Sequence, residues 1–115
     1  MLKLEKLDLN FIETGNGTIE ALSKNPNSRL HTLRLYTNGI QDYDMQFLNG
    51  NFPSLTELGL SANELTDEGL KMLASSNIRN SLKKLVISNI VFTPKVIITA
   101  LENLQEHENL TNYST

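Results

Sequence analysis

One pattern of leucines constrains this chain more than anything else in it, because the pattern returns. "LEKLDLNFIET" begins at Leu4, "LHTLRLYTNGI" at Leu30, "LTELGLSANEL" at Leu55 and "LKKLVISNIVF" at Leu82, about 25 to 28 residues apart. The second and third segments share L-x-x-L-x-L-x-x-N followed, one residue on, by Ile40 or Leu65. Positions four and six alternate with polar neighbours, the period of a short strand with one buried face. Self-similarity at this spacing marks units that cannot bury an apolar face alone and do so by stacking on their neighbours. The stack this predicts is a parallel sheet.

A shorter reading of "LRLYTNGI" competes with this one. Asn38-Gly39 after alternating Leu33 and Leu35 is a strong β-hairpin signal, since a type I′ turn needs positive φ at both central residues. A hairpin also needs a returning strand, and "QDYDMQFLNGNFP" lacks a strand alternation. Recurrence therefore outweighs the local signal, and the turn leads the chain away from its strand. An asparagine at position nine, Asn38 and Asn63, has a side-chain amide able to donate to and accept from backbone groups as the chain turns. The first and fourth segments carry Ile12 and Ile90 there, so an asparagine ladder is expected only in the middle.

Helix signals follow the turns. In "TDEGLKMLASSN", Thr66 is suited to an N-cap, Asp67 and Glu68 complement the positive helix end, and Leu70 and Leu73 share a face. In "TPKVIITALENL", Thr93 takes the cap position, Pro94 the first helical position, and Val96, Ile97, Ala100, Leu101 and Leu104 form a broad apolar face. A helix around Ile19, Ala21 and Leu22 and a shorter one over Met45 to Leu48 complete the set. Each unit is expected to be a strand followed by a helix, in one domain over 1–115 with units near 4–29, 30–54, 55–81 and 82–109 and a partial fifth at 110–115.

"LTELGLSANELTDEGLKMLASS" resembles the ribonuclease-inhibitor-like subfamily of leucine-rich repeat proteins, and the periodic leucines extend the resemblance over nearly the whole chain. It implies a right-handed α/β solenoid, a short horseshoe arc with a parallel β-sheet on the concave face and helices on the convex one. Physics gives the bend as well, because strands stack about 4.8 Å apart while helices are about 10 Å wide. The resemblance also touches GTPase-activating proteins built on the same repeats, although no catalytic residue is identifiable here and fold analogy alone does not transfer activity.

Side chains between the fixed leucines face the concave side, and the expected function is non-enzymatic binding of a protein partner through that face and its loops. A regulatory or targeting segment of a larger enzyme or effector is the alternative. Four columns result, the central one running Asp8, Arg34, Gly59 and Val86, flanked by Lys6, Thr32, Glu57 and Lys84 and by the columns that start at Asn10 and Phe11. Arg34 and Tyr36 stand out because arginine and tyrosine combine apolar area with directional hydrogen bonds, and Phe11 extends their patch. Asp8, Glu57 and Lys84 complete the candidate binding set, with cross-strand ion pairs Arg34–Asp8 and Glu57–Lys84 as the plainer use of the same charges. Four short strands give a flat face of only about 200 Å², so loops or edges must add to an interface of ordinary size.

Composition excludes other classes. Ten basic against thirteen acidic residues leave no surplus for phosphate neutralisation, which argues against nucleic acid and anionic membranes as partners. No apolar run approaches the roughly 18 residues of a spanning helix, and "MLKLEKLDLN" alternates charge with leucine where a signal peptide is apolar. The absence of cysteine removes disulfides and thiolate chemistry and suits a cytoplasmic setting. His31 and His107 have no partners at metal-ligand spacing, and "ETGNGTIE" lacks the phosphate-loop lysine, so no metal, cofactor or catalytic residue is assigned. Polar caps are missing at both ends of the array. Self-association through an end strand or terminal helix is therefore expected, unless Leu2 and residues 102–109 cover the ends.

Overall fold

A computed structural model describes residues 3–12, 15–25, 29–106 and 109–114. Five three-residue strands are evenly phased along the chain: β1 Lys6–Asp8, β2 Thr32–Arg34, β3 Glu57–Gly59, β4 Lys84–Val86 and β5 Asn112–Ser114. They form one parallel sheet in sequence order, β1-β2-β3-β4-β5. Leu7, Leu33, Leu58, Leu85 and Tyr113 stand in register across it, so the recurring leucine sets the pairing directly. A slip of one residue would turn every leucine outward, which is why the register is so uniform. The partial fifth unit expected at 110–115 supplies the fifth strand, with Tyr113 at its centre and Leu110 buried just before it.

Three α-helices, α1 Thr18–Ser23, α2 Asp67–Ser75 and α3 Pro94–Leu104, lie against one face of the sheet. One core joins the two layers. Leu33, Leu58 and Leu85 come from the strands, Leu35, Leu60 and Ile87 from the residues just after them, and Ile19, Met45, Leu48, Leu70, Leu73 and Leu104 from the helical side, all at most 1% exposed. The second unit differs from expectation, because its helix is a 3₁₀ helix running from Asp42 to Leu48. Gln41 and Asp44 close a reciprocal capping box at its start, with the Gln41 N–H donating to Asp44 Oδ2 at 2.8 Å. Met45 and Leu48, three apart, eclipse on its buried side, which the tighter pitch favours.

Side-chain rungs tie each unit to the next. Asn63 Oδ1 accepts from the N–H groups of Asn38 and Ile40, at 2.8 and 3.1 Å, while its Nδ2 donates to the carbonyls of Leu35 and Leu60, at 2.7 and 2.9 Å. Asn38 repeats the arrangement one unit earlier, accepting from Ile12 N–H at 3.1 Å and donating to Leu9 O at 2.7 Å. Where Ile90 replaces the third asparagine, Ser61 and Ser88 join their hydroxyls at 2.9 Å, and Ser88 N–H donates to Ser61 Oγ at 2.9 Å.

A second set of rungs joins the starts of successive helices. Asp42 accepts from the N–H and the hydroxyl of Thr66, and Asp67 accepts from those of Thr93 at 2.9 and 3.0 Å. Thr66 also accepts from Glu68 N–H at 3.3 Å, as an N-cap does. Thr93 makes no side-chain cap bond, although its hydroxyl donates to Asp67 just as that of Thr66 does to Asp42. Asp67 thus links two units as well as facing a helix dipole.

Candidate functional site

The helices cover one face of the sheet, and the odd-numbered steps of each strand leave the other open. Its first row is Lys6, Thr32, Glu57, Lys84 and Asn112, and its second is Asp8, Arg34, Gly59, Val86 and Ser114. Asn10, Tyr36, Ser61 and Ser88 follow beyond the strand ends. Next come Phe11, Thr37, Ala62 and Asn89, and all four hold positive φ, between 58 and 61°. In that left-handed region an L side chain crowds its own carbonyl, and only Asn89 is of a type that tolerates it readily. The recurrence turns each strand into its loop at the same angle, and nothing in the sequence announced it.

Arg34 is at the centre of the charged part. Its Nε donates to Glu57 Oε2 at 2.6 Å on one neighbouring strand, and a terminal nitrogen reaches Asp8 Oδ2 at 3.4 Å on the other. The shorter contact is also the more shielded, with side chains 26% and 17% exposed against 38% for Asp8. Hydrogen bonding to Arg34 outweighs desolvation and holds the Glu57 carboxyl below its ordinary range, with Lys84 and Lys6 adding weaker attraction. The same bond raises Arg34 further above neutrality. Asp8 is steadied from its other side by Asn10, whose Nδ2 donates to Oδ1 at 2.5 Å while its own Oδ1 accepts from Tyr36 N–H at 3.0 Å.

The expected Arg34–Asp8 pair is therefore present as half of a three-residue bridge, and the expected Glu57–Lys84 pair is not formed. A guanidinium fork can serve two carboxylates at once, and Glu57 turns toward it in preference to the ammonium beside it. Among the described residues, Lys84 and Lys6 make no ion pair.

Tyr36 owes its position to Gly59. A Cβ on Gly59 would sit 2.5 Å from both the ring edge and the hydroxyl of Tyr36, so the ring occupies the space that a side chain on the next strand would fill. Glycine inside a strand signals such close approach, and Gly59 is the one glycine on the open face among the described strands. Burial raises the Tyr36 phenol above its ordinary value against the opposing pull of Arg34, so the hydroxyl stays protonated at neutral pH. Phe11 stands beside it with its N–H donating to Tyr36 O at 2.9 Å and its side chain 78% exposed.

Phe11, Tyr36, Asp8, Arg34, Glu57 and Lys84 are thus all set on the open face or at its margin. Asp8, Arg34 and Glu57 are joined directly, Phe11 adjoins Tyr36, and Lys84 stands beside Glu57 in the strand register. Lys6 and Asn10 fall in the columns that the repeat defines, and only the structure singles them out, Asn10 by its bonds to Asp8 and Tyr36 and Lys6 by its place beside Asp8. His31 Nδ1 lies 2.9 Å from Thr32 Oγ1, and His107 is outside the described residues.

No protein-family model matches the chain, and no curated protein does. Among solved structures it is similar to a tropomodulin C-terminal domain from Caenorhabditis elegans, with a TM-score of 0.79 and 22% sequence identity over 96% of this chain and 72% of that one. The likeness shows the fold, a parallel sheet layered with helices. It also corrects the resemblance to the ribonuclease-inhibitor-like leucine-rich repeat subfamily, which neither the family models nor this neighbour supports. The leucines and asparagines that suggested the subfamily stack strands and stitch turns here, general work that does not single out one subfamily. The GTPase-activating expectation rested on that subfamily and loses its support.

Proposed function

We propose that this chain is a non-enzymatic protein-binding module, a short solenoid arc whose open, concave strand face and adjoining loops receive a protein partner. The observation that carries this reading is Tyr36 seated over Gly59, next to a strongly exposed Phe11 whose backbone N–H donates to Tyr36 O. A large aromatic surface held by neighbouring backbone loses little conformational entropy on binding, and tyrosine is a frequent anchor of interface energy. Asp8, Arg34, Glu57 and Lys84 border that anchor and supply directional and charged contacts. The likeness to a tropomodulin domain agrees with a binding role, and it carries no partner to this chain.

Capture of partners from an extract, compared between the wild type and Phe11→Ala plus Tyr36→Ala, tests the proposal. Phe11 is exposed and Tyr36 half-buried outside the packed core, so far-ultraviolet circular dichroism should stay unchanged. Partners recovered with the wild type should disappear with the double variant. Equal recovery of every partner would remove the open face from consideration.

A further inference from the structure

Resting on that reading of the open face, we propose that the segment it receives is an extended acidic peptide crossing the strands, with two carboxylates four residues apart that bind Lys6 and Lys84. The first row of the face places these lysines in one register line, Lys6, Thr32, Glu57, Lys84. Arg34 between them is already engaged by Asp8 and Glu57, whereas neither lysine has an ion-pair partner among the described residues. The lysines are therefore the uncommitted cations of this face, one toward each side of the three-residue bridge.

Spacing selects the ligand. Lys6 and Lys84 are separated by three strand steps of about 4.8 Å, which is about 14 Å. In an extended peptide, residues four apart project to the same side and lie about 13 Å from each other, while residues two apart span only about 7 Å. A helix with its carboxylates at the same four-residue spacing rises only about 6 Å and does not reach. The intervening same-side residue arrives about 7 Å along the row, between Thr32 and Glu57. A carboxylate there meets Glu57, so this position takes a neutral residue, and the arrangement discriminates against uniformly acidic tracts as well as basic ones. The whole chain carries a formal charge of -3, so an acidic segment gains attraction at this row in particular and not from the molecule at large.

Fluorescence anisotropy with labelled peptides of about nine residues tests this. One peptide carries aspartates four apart in a Ser/Thr/Val background, a second carries them two apart, and a third has lysines four apart. The four-spaced acidic peptide should bind at least about tenfold more tightly than either of the others, and weaken as salt is raised. Lys6→Glu and Lys84→Glu should each cost it about tenfold or more, with Lys6→Gln and Lys84→Gln intermediate. Equal binding of the two acidic spacings, indifference to the lysine variants, or no binding by any peptide would overturn the proposal. Its failure is separable from that of the binding face itself. If natural partners are lost with the Phe11 and Tyr36 variant but kept with the lysine variants, only the acidic ligand is wrong. If both sets leave capture unchanged, the face is wrong too.

Discussion

Replacing Asn63 with alanine should be among the most damaging single changes to this chain that leave its leucines intact. Four hydrogen bonds of 3.1 Å or less meet in this side chain, two from backbone N–H groups and two to backbone carbonyls. Alanine removes all four and leaves Asn38 N–H and Ile40 N–H facing a gap inside a turn whose flanking Asn38 and Ile40 are almost wholly buried. An ordinary hydrogen bond contributes about 1 kcal/mol net, and an orphaned buried donor costs about 1–3 kcal/mol. Asn63 itself is only half-buried, so water can reach part of the gap, and the expected loss is about 3–4 kcal/mol. At a urea sensitivity of about 2 kcal/mol per molar, the unfolding midpoint falls by roughly 1.5–2 M. Native-state hydrogen exchange supplies the local check, since the amides of Asn38 and Ile40 should lose more protection than those of β4. Asn63→Asp keeps the acceptor and loses the donor, and should fall between. A loss below about 0.5 kcal/mol for the alanine variant, or uniform loss of protection across the sheet, would refute the view that this amide stitches the second unit to the third.

Three further outcomes are expected. Thr37→Gly should stabilise the chain by about 0.5–1 kcal/mol in urea unfolding, because relief of the left-handed strain, about 1–2 kcal/mol, exceeds the extra entropy glycine loses on folding. For Glu57 the sign follows from a folded-state carboxyl held below its unfolded value: the stabilisation is full above the unfolded value and is lost as pH falls through the folded one. Glu57→Gln should therefore be less stable than the wild type by up to about 1 kcal/mol at pH 7, with the gap closing when unfolding is measured below the ordinary carboxylate range. Gly69→Ala should destabilise by about 1–2 kcal/mol in thermal melts despite alanine's better helix propensity, since its Cβ would collide with the Asp42 carboxylate and free Thr66 from it.

The strands were legible because a period of two inside a longer period fixes both what a strand buries and which strand it meets. Leu33 beside Leu58 needs no more than that. Helix α2 was legible from Thr66, Asp67 and the Leu70–Leu73 face. The second unit's helix was read three residues short, because Asp42 to Asp44 look like loop until the Gln41–Asp44 box is seen. Long-range polar choices were illegible in principle. Asp67 has a sufficient local role at a helix start, and only the stacked fold brings Thr93 to it from 26 residues away. Glu57 had two cations within reach, and the geometry of a guanidinium, rather than adjacency in register, decided between them. Tyr36 was identifiable as an anchor by its type, yet its seat depended on a glycine in another unit.

In each strand, what faces the helices and what faces outward occupy alternating positions of the same three residues. Substitutions at 6, 8, 34, 57 or 84 can change the relief and charge of the exterior without altering the packed layer behind it. A scaffold wired this way lets its choice of company drift while its architecture stays put.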